Sequence, residues 1–420
     1  MVTRRAASLV QGARSGGGAY AQDLHREGVD RLLAPPAGGT VKIAVISGMG
    51  AVWGAYDVRC LFEDGKGTVG GGEAAMLHTS FQLAAFEHGV TVFYPGSVDH
   101  YRGVSFRPLP EAYPSLLADN YDAVCSWSDF HAIRIGPPHT RRVFVQQLNN
   151  MPDPGDVFWR NVDVIVPASA THGRFLAKTQ TYGASVAYMP LYGGVTPQLY
   201  ADARPFWKRK PVVSWWSSPD RGLHHLLMMW PVIRREIPQA ELRIAYHTHR
   251  FIEDTRSLFK HGEVAWRARE LEGALKLAQA AGGVYVLGAI PRKVLAKHQG
   301  ETKVWAFPFD SICSTEGLCV SASEAIVAGC WPIVRPDDAL REVYDGYVQW
   351  VPSMVCDDAW RGRFCGAIIA ALRATANPYA AKATQFATNF TWPLAAKQLE
   401  RACQAAITRV DWGDGPWQGM

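Results

Sequence analysis

The sequence predicts an α/β protein built on parallel sheets, and three observations predict it. Short apolar runs such as VKIAVISG (41–48) and TKVWAFP (302–308) are hydrophobic at most positions on both faces, as strands covered on both faces are. The segments between such runs have crossover length, and several space their apolar residues at helical period. A stretch rich in charge and proline, ADARPFWKRKP (201–211), interrupts the series, and PVVSWWS then starts a fresh one. The chain therefore reads as two successive α/β units joined by a linker.

Residues 1–40 are rich in Ala, Gly and Arg and carry no acid before Asp23. They read as a loosely structured head, with a short helix near 20–33. Arg4-Arg5 lacks the apolar core that a targeting signal needs. The strand at 41–48 opens the first unit. A long loop leads to Gly70-Gly71-Gly72, then a helix over about 73–88 and a strand, TVFYP (91–95). A dinucleotide fingerprint needs its glycines directly after the first strand. Here they lie over twenty residues beyond it, which argues against a nicotinamide enzyme. YDAVCSW (121–127), RVFVQQL (142–148), VDVIVPAS (162–169) and SVAYMPL (185–191) continue the strands.

In the second unit, Arg221-Gly222 lies at a strand's carboxyl end, before a helix of about 222–236 and a strand at 241–247. His247 and His249 flank the end of that strand; no third ligand at motif spacing accompanies them, and no metal is expected. A charged stretch, 253–280, reads as one or two helices, followed by the strand GVYVLGAIP (283–291) and a helix, RKVLAKHQ. TKVWAFP then runs into a loop with Asp310 and Glu316, a helix over about 318–329 carrying Glu324, Gly329 as its stop, and the strand CWPIV. Loops and helix N-termini at the carboxyl ends of parallel strands are where ligands bind, and their free N–H groups suit phosphate. VQWVPS (348–353) reads as the last strand, 357–375 and 380–408 as helices.

Composition limits the function. With 43 basic and 38 acidic residues the net charge is +5, which favours anionic ligands without the basic runs of a nucleic-acid protein. The eight cysteines are scattered without a CxxC, pointing to a reducing, cytoplasmic setting. No apolar run approaches the ~18 residues of a membrane span, leaving at most peripheral contact with a membrane. Some of the fifteen tryptophans could stack on sugar rings.

Glu316 and Glu324 bracket seven residues, and Ala-x-x-Ala-Gly follows the second. This resembles the Glu-x7-Glu segment of retaining glycosyltransferases of the GT-B fold, most like glycosyltransferase family 4. Gly71-Gly72 with Glu73 resembles that family's GGxE loop, Gly194-Val195-Thr196 its turn closing the first domain, and Arg221-Gly222 its Lys-Gly. Phe390-x-Trp392 resembles the entry to its closing helix. Where the family has a second cation, this chain has Trp215 or Trp216. The resemblance implies two Rossmann-like domains facing a cleft: an acceptor domain over 41–205, joined by a closing helix at 385–410, and a donor domain over 206–384. It implies transfer of a sugar from a UDP- or GDP-sugar to a hydroxyl acceptor (glycan, lipid or small molecule), with retention and without a metal or other cofactor. Gly71 and Gly72 would face the donor diphosphate and Arg221 would stabilise its departure. Glu316 would bind the sugar hydroxyls, the amides of Gly317 and Leu318 the sugar or phosphate, and Glu324 the ribose. Asp129, His131 and His247 would border the acceptor or donor pocket, and Trp53, Tyr56 and Asp57 could line the acceptor cleft. A nucleotide-sugar epimerase of the same fold and a non-catalytic nucleotide- or glycan-binding protein are the alternatives.

Overall fold

In the computed structural model, residues 39–48, 55–63, 66–130, 133, 137, 139–147, 153–179, 187–310 and 316–408 are described. The helix expected near 20–33, Trp53 and His131 lie outside them.

The apolar runs pair as two sheets. The first contains β1 (Lys42–Ser47), β2 (Gly89–Tyr94), β3 (His100–Tyr101), β4 (Val104–Pro108), β5 (Ala123–Trp127), β6 (Arg141–Gln146), β7 (Val164–Pro167) and β8 (Ala187–Tyr188). Their spatial order is β3-β4-β2-β1-β5-β6-β7-β8, and only the β3–β4 pair is antiparallel. The second contains β9 (Val212–Trp215), β10 (Glu241–Ile244), β11 (Val284–Val286), β12 (Val304–Phe307), β13 (Trp331–Val334) and β14 (Gln349–Trp350). These run β11-β10-β9-β12-β13-β14, all parallel. In each sheet the chain order reverses beside the first strand, at β1/β5 and at β9/β12. Such reversals leave a crevice at the carboxyl edge.

The hydrophobicity of β1 on both faces has the expected cause. Ile43 and Val45 face a core shared with the helices Gly71–Ala85 and Trp392–Thr408, while Ala44 and Ile46 face Ala112 and Leu116 on the other side. The β3–β4 hairpin adds to the expected elements. Arg102 and Gly103 both have positive φ, 50° and 80°, as a tight hairpin turn matched to strand twist requires. The charged stretch 253–280 resolves into two helices, Thr248–Leu258 and Gly262–Ala280.

The chain passes between the two cores twice, at adjoining places. Leu191 packs in the first core and Val195 in the second; on the return, Phe390 packs in the second and Trp392 in the first. The two passages bond to each other. Val195 donates its N–H to the Phe390 carbonyl at 3.0 Å, and the Trp392 indole donates to Thr196 Oγ1 at 3.1 Å. Glycine is required at this crossing, since a Cβ on Gly194 would stand 2.5 Å from the Trp392 nitrogen.

Candidate functional site

The site is built where the two carboxyl edges meet. β9 ends at Trp215 and leads into a short turn, Pro219–Arg221. Gly222 then takes φ 109°, and a Cβ there would lie 2.2 Å from the Pro308 carbonyl. Only glycine lets the β9 turn nest against the β12 loop in this way. That nesting brings Arg221 to Glu316: Nη1 stands 3.7 Å from Oε2, with Asp220 at the same distance from Nε. At 3.7 Å the pair is coupled by charge rather than by a direct hydrogen bond. Burial raises the Glu316 carboxyl above its ordinary value, while the Arg221 charge and the Leu318 and Gly317 amides pull the other way. The two acting partners suggested by sequence therefore do come together.

Neither Trp215 nor Trp216 leaves room for a second cation on this turn. Trp215 is fully buried and donates its indole N–H to the Ser217 carbonyl. Trp216 braces the start of the Val320–Val327 helix, donating to the Ser321 carbonyl while its own carbonyl accepts from Ser321 Oγ.

Glu324 lies on that helix and is buried. Its Oε1 is 2.5 Å from Arg292 Nη2, and its Oε2 accepts from Gln299 Nε2 at 2.7 Å. Gln299 Oε1 in turn accepts from the Tyr200 hydroxyl at 2.9 Å. This carboxylate is thus held in place by a partner on each oxygen. Nothing in the sequence pattern pointed to Arg292 or Gln299. His247 lies beside the turn that follows β11: a Cβ on Gly288 would be 3.6 Å from its Nδ1.

The first unit meets this edge with glycines. A Cβ on Gly71 would be 3.7 Å from Val320, and one on Gly193 would be 3.5 Å from Leu318. Gly72 follows Gly71 in the first turn of its helix. Asp129 sits at the β1/β5 reversal against Gly48, and its carbonyl accepts from Ser126 Oγ. Of the residues expected along the acceptor cleft, Asp57 caps its own turn and binds Arg59 at 2.6 Å. Tyr56 is buried, its hydroxyl beside the Ser47 side chain.

Further buried polar groups lie along these edges. Glu73, the acid of the glycine loop, is 1% exposed and neither carboxylate oxygen has a hydrogen-bond partner. Burial pushes its carboxyl up to about 7. The buried Ser47 hydroxyl, beside Tyr56, and the Trp127 indole belong to the ends of β1 and β5 at the same sheet edge. Glu342, from the second unit, caps the helix Ala170–Thr179 of the first. Its Oε1 accepts from Ala170 N–H at 3.0 Å and its Oε2 from Thr171 N–H at 2.6 Å, while the Tyr192 hydroxyl donates to Oε1 at 2.8 Å. A carboxylate suits a helix N-terminus by charge as well as by hydrogen bonding. His172, on the same helix, is completely buried. Apart from the motif glutamate at 73, these groups carry no pattern in the sequence, because a fold of the whole chain brings them to the seam.

Among the described residues, one group of three metal-type ligands converges: His224, His225 and Asp310. Arg267 already binds two of the three, His224 and Asp310. Its Nη1 lies 2.9 Å and 2.6 Å from the two His224 nitrogens and 3.0 Å from Asp310 Oδ2. A guanidinium in that position repels a metal cation. The Asp310 N–H reaches the Arg221 carbonyl at 3.3 Å, so this cluster buttresses the Arg221 turn.

No protein-family model matches the chain, and no curated protein sequence matches it significantly. Solved structures match its fold. Sucrose-phosphate synthase from Thermosynechococcus elongatus aligns with a TM-score of 0.60 at 15% identity, covering 88% of this chain and 100% of that one. AviGT4, a glycosyltransferase involved in avilamycin A biosynthesis, aligns with 0.60 at 13% identity, over 88% and 99%. Anabaena HepE in complex with UDP and glucose aligns with 0.60 at 12% identity, over 87% and 100%. At these identities the likeness is one of architecture: the chain has the GT-B fold of glycosyltransferases, two Rossmann-like units facing a cleft.

Proposed function

We propose that the protein is a retaining glycosyltransferase that moves a sugar from a nucleotide-diphosphate sugar to a hydroxyl acceptor. The observation that carries this reading is the Arg221–Glu316 pair beside a helix N-terminus at the carboxyl edge, with Gly71 and Gly193 closing on Val320 and Leu318. Glycines there admit a bulky, charged group close to backbone on both sides. The HepE structure was solved with UDP and glucose, which supports a nucleotide-sugar donor here.

In this reading the anomeric carbon–oxygen bond to the diphosphate breaks, and its electron pair leaves with the diphosphate. Arg221 stabilises that developing charge, the role a metal takes elsewhere. The acceptor oxygen attacks from the face the diphosphate leaves, so configuration is retained, and its proton passes to a leaving phosphate oxygen. Glu316 orients the sugar hydroxyls, Glu324 the ribose, and the protein acts chiefly by positioning and electrostatics. Gly72 lies along the diphosphate, and Asp129 and His247 border the pocket. The buried Trp216 at the place of a second cation favours, as the second reading, a protein that binds the nucleotide sugar without turning it over.

The test is a thermal-shift screen against UDP, GDP, ADP and their common sugars, followed by product analysis with hydroxyl acceptors. Ligand binding to the native state raises Tm by mass action. A shift with one nucleotide, lost in Arg221→Ala, and a product of retained anomeric configuration support the proposal. Binding with no transfer to any acceptor supports the second reading, free epimerised sugar without acceptor marks an epimerase, and no shift at all refutes the donor site.

A further inference from the structure

His172 has one occupied ring nitrogen and one unoccupied. The side chain turns back on its own helix start, where Nδ1 accepts the Ala168 N–H at 3.1 Å. A nitrogen that accepts from an amide carries no proton, so in the neutral ring the proton sits on Nε2. Nε2 has no hydrogen-bond partner although the residue is completely buried. A buried donor left unpaired costs about 1–3 kcal/mol, which ligand binding can recover.

The position of the residue says what that ligand is. The helix Ala170–Thr179 follows β7 at the carboxyl edge of the first sheet, and its N-terminus touches the second unit through Glu342. Across the seam the charge that acts on His172 is Arg221; burial first and this charge second hold the imidazole down at about 4, hence neutral at physiological pH. An N–H donor within the field of a guanidinium shares one kind of partner with it, an anionic oxygen. Trp215 and Trp216, buried and uncharged, supply no second phosphate ligand beside Arg221.

We propose that His172 Nε2–H is that second ligand, donating from the first unit to the diphosphate that Arg221 binds from the second. The inference rests on the reading of the cleft as a nucleotide-sugar site. A neutral donor suits a leaving group: it holds the diphosphate oxygens without adding charge that would slow product release. It also makes the phosphate site complete only when both units are together.

The experiment is calorimetric titration of the full chain with UDP, GDP and ADP, in wild type, His172→Ala and His172→Gln, the last keeping a side-chain N–H donor. If wild type binds none of the three, the donor-site reading itself fails. If it binds one, His172→Ala is expected to weaken that diphosphate about tenfold or more, with His172→Gln recovering part. An unchanged Kd in His172→Ala overturns the inference. So does an unchanged Kd accompanied by a raised acceptor KM, which assigns Nε2 to the acceptor. Should the variants fold poorly, histidine-selective 15N spectra of the wild type decide. They should show a neutral Nε2–H ring whose proton resonance moves on adding the bound diphosphate, and a resonance that stays in place refutes the contact.

Discussion

Glu73→Gln isolates the energetic consequence of a buried carboxyl with no partner. In the fold this group ionises at about 7, against 4.5 for an ordinary glutamate, because burial disfavours its charge. Between those two pH values the folded chain keeps a proton that the unfolded chain has lost. Stability therefore falls as pH rises through the window, by about 1.4 kcal/mol per pH unit, and the loss is complete above pH 7 at roughly 3 kcal/mol. Glutamine has the same shape and no charge. Its unpaired amide adds an offset of about 1–3 kcal/mol that does not depend on pH. The stability difference between variant and wild type, measured by urea unfolding from pH 4.5 to 8, should thus rise steadily in favour of glutamine by roughly 3 kcal/mol. Parallel curves across the range would show that Glu73 is solvated or paired in solution, and the argument from its burial would fail.

Two other substitutions probe the seam. Gly222→Ala places a Cβ 2.2 Å from the Pro308 carbonyl at φ 109°, so it should cost roughly 2–4 kcal/mol in urea unfolding and abolish nucleotide binding by displacing Arg221. Retained affinity at reduced stability would separate the turn from the site. Glu342→Gln removes an acceptor oxygen from the N–H groups of Ala170 and Thr171 and should weaken the contact between units by about 1.5–3 kcal/mol. Small-angle scattering should then report a larger radius of gyration than wild type, with an unchanged radius counting against the clasp.

The fold was legible because a parallel strand covered on both faces must be largely apolar: β12 is so throughout, and β1 and β5 depart from it only at Lys42, Ser47 and Ser126. The β3–β4 hairpin was not, because its turn residues, Arg102 and Gly103, lack the usual Asn-Gly or Asp-Gly signature. Within the site, Glu316, Glu324 and Arg221 were readable through their resemblance to the Glu-x7-Glu and Lys-Gly motifs, which are local in sequence. Their partners were not readable. Arg292 comes to Glu324 from the preceding helix, and Glu342 comes to Ala170 from the other unit, at a separation of 172 residues. Local periodicity says nothing about such pairs.

What joins the units along the seam bears on how the site works. The contacts include a carboxylate on backbone amides, glycines facing Val320 and Leu318, and the paired crossings at Val195 and Thr391. None of these interlocks large apolar side chains across the cleft. Of the aromatic stacks at the crossing, His78 on Trp392 at 4.4 Å lies with the first core, where the closing helix is anchored, and Phe386 on Phe390, also at 4.4 Å, lies inside the second. Units held by a polar, small-residue seam and a hydrogen-bonded crossing can part and return at low cost, as separate domains commonly do. A diphosphate bound at once by Arg221 from one side and His172 from the other would favour the closed arrangement, because only that arrangement offers both donors.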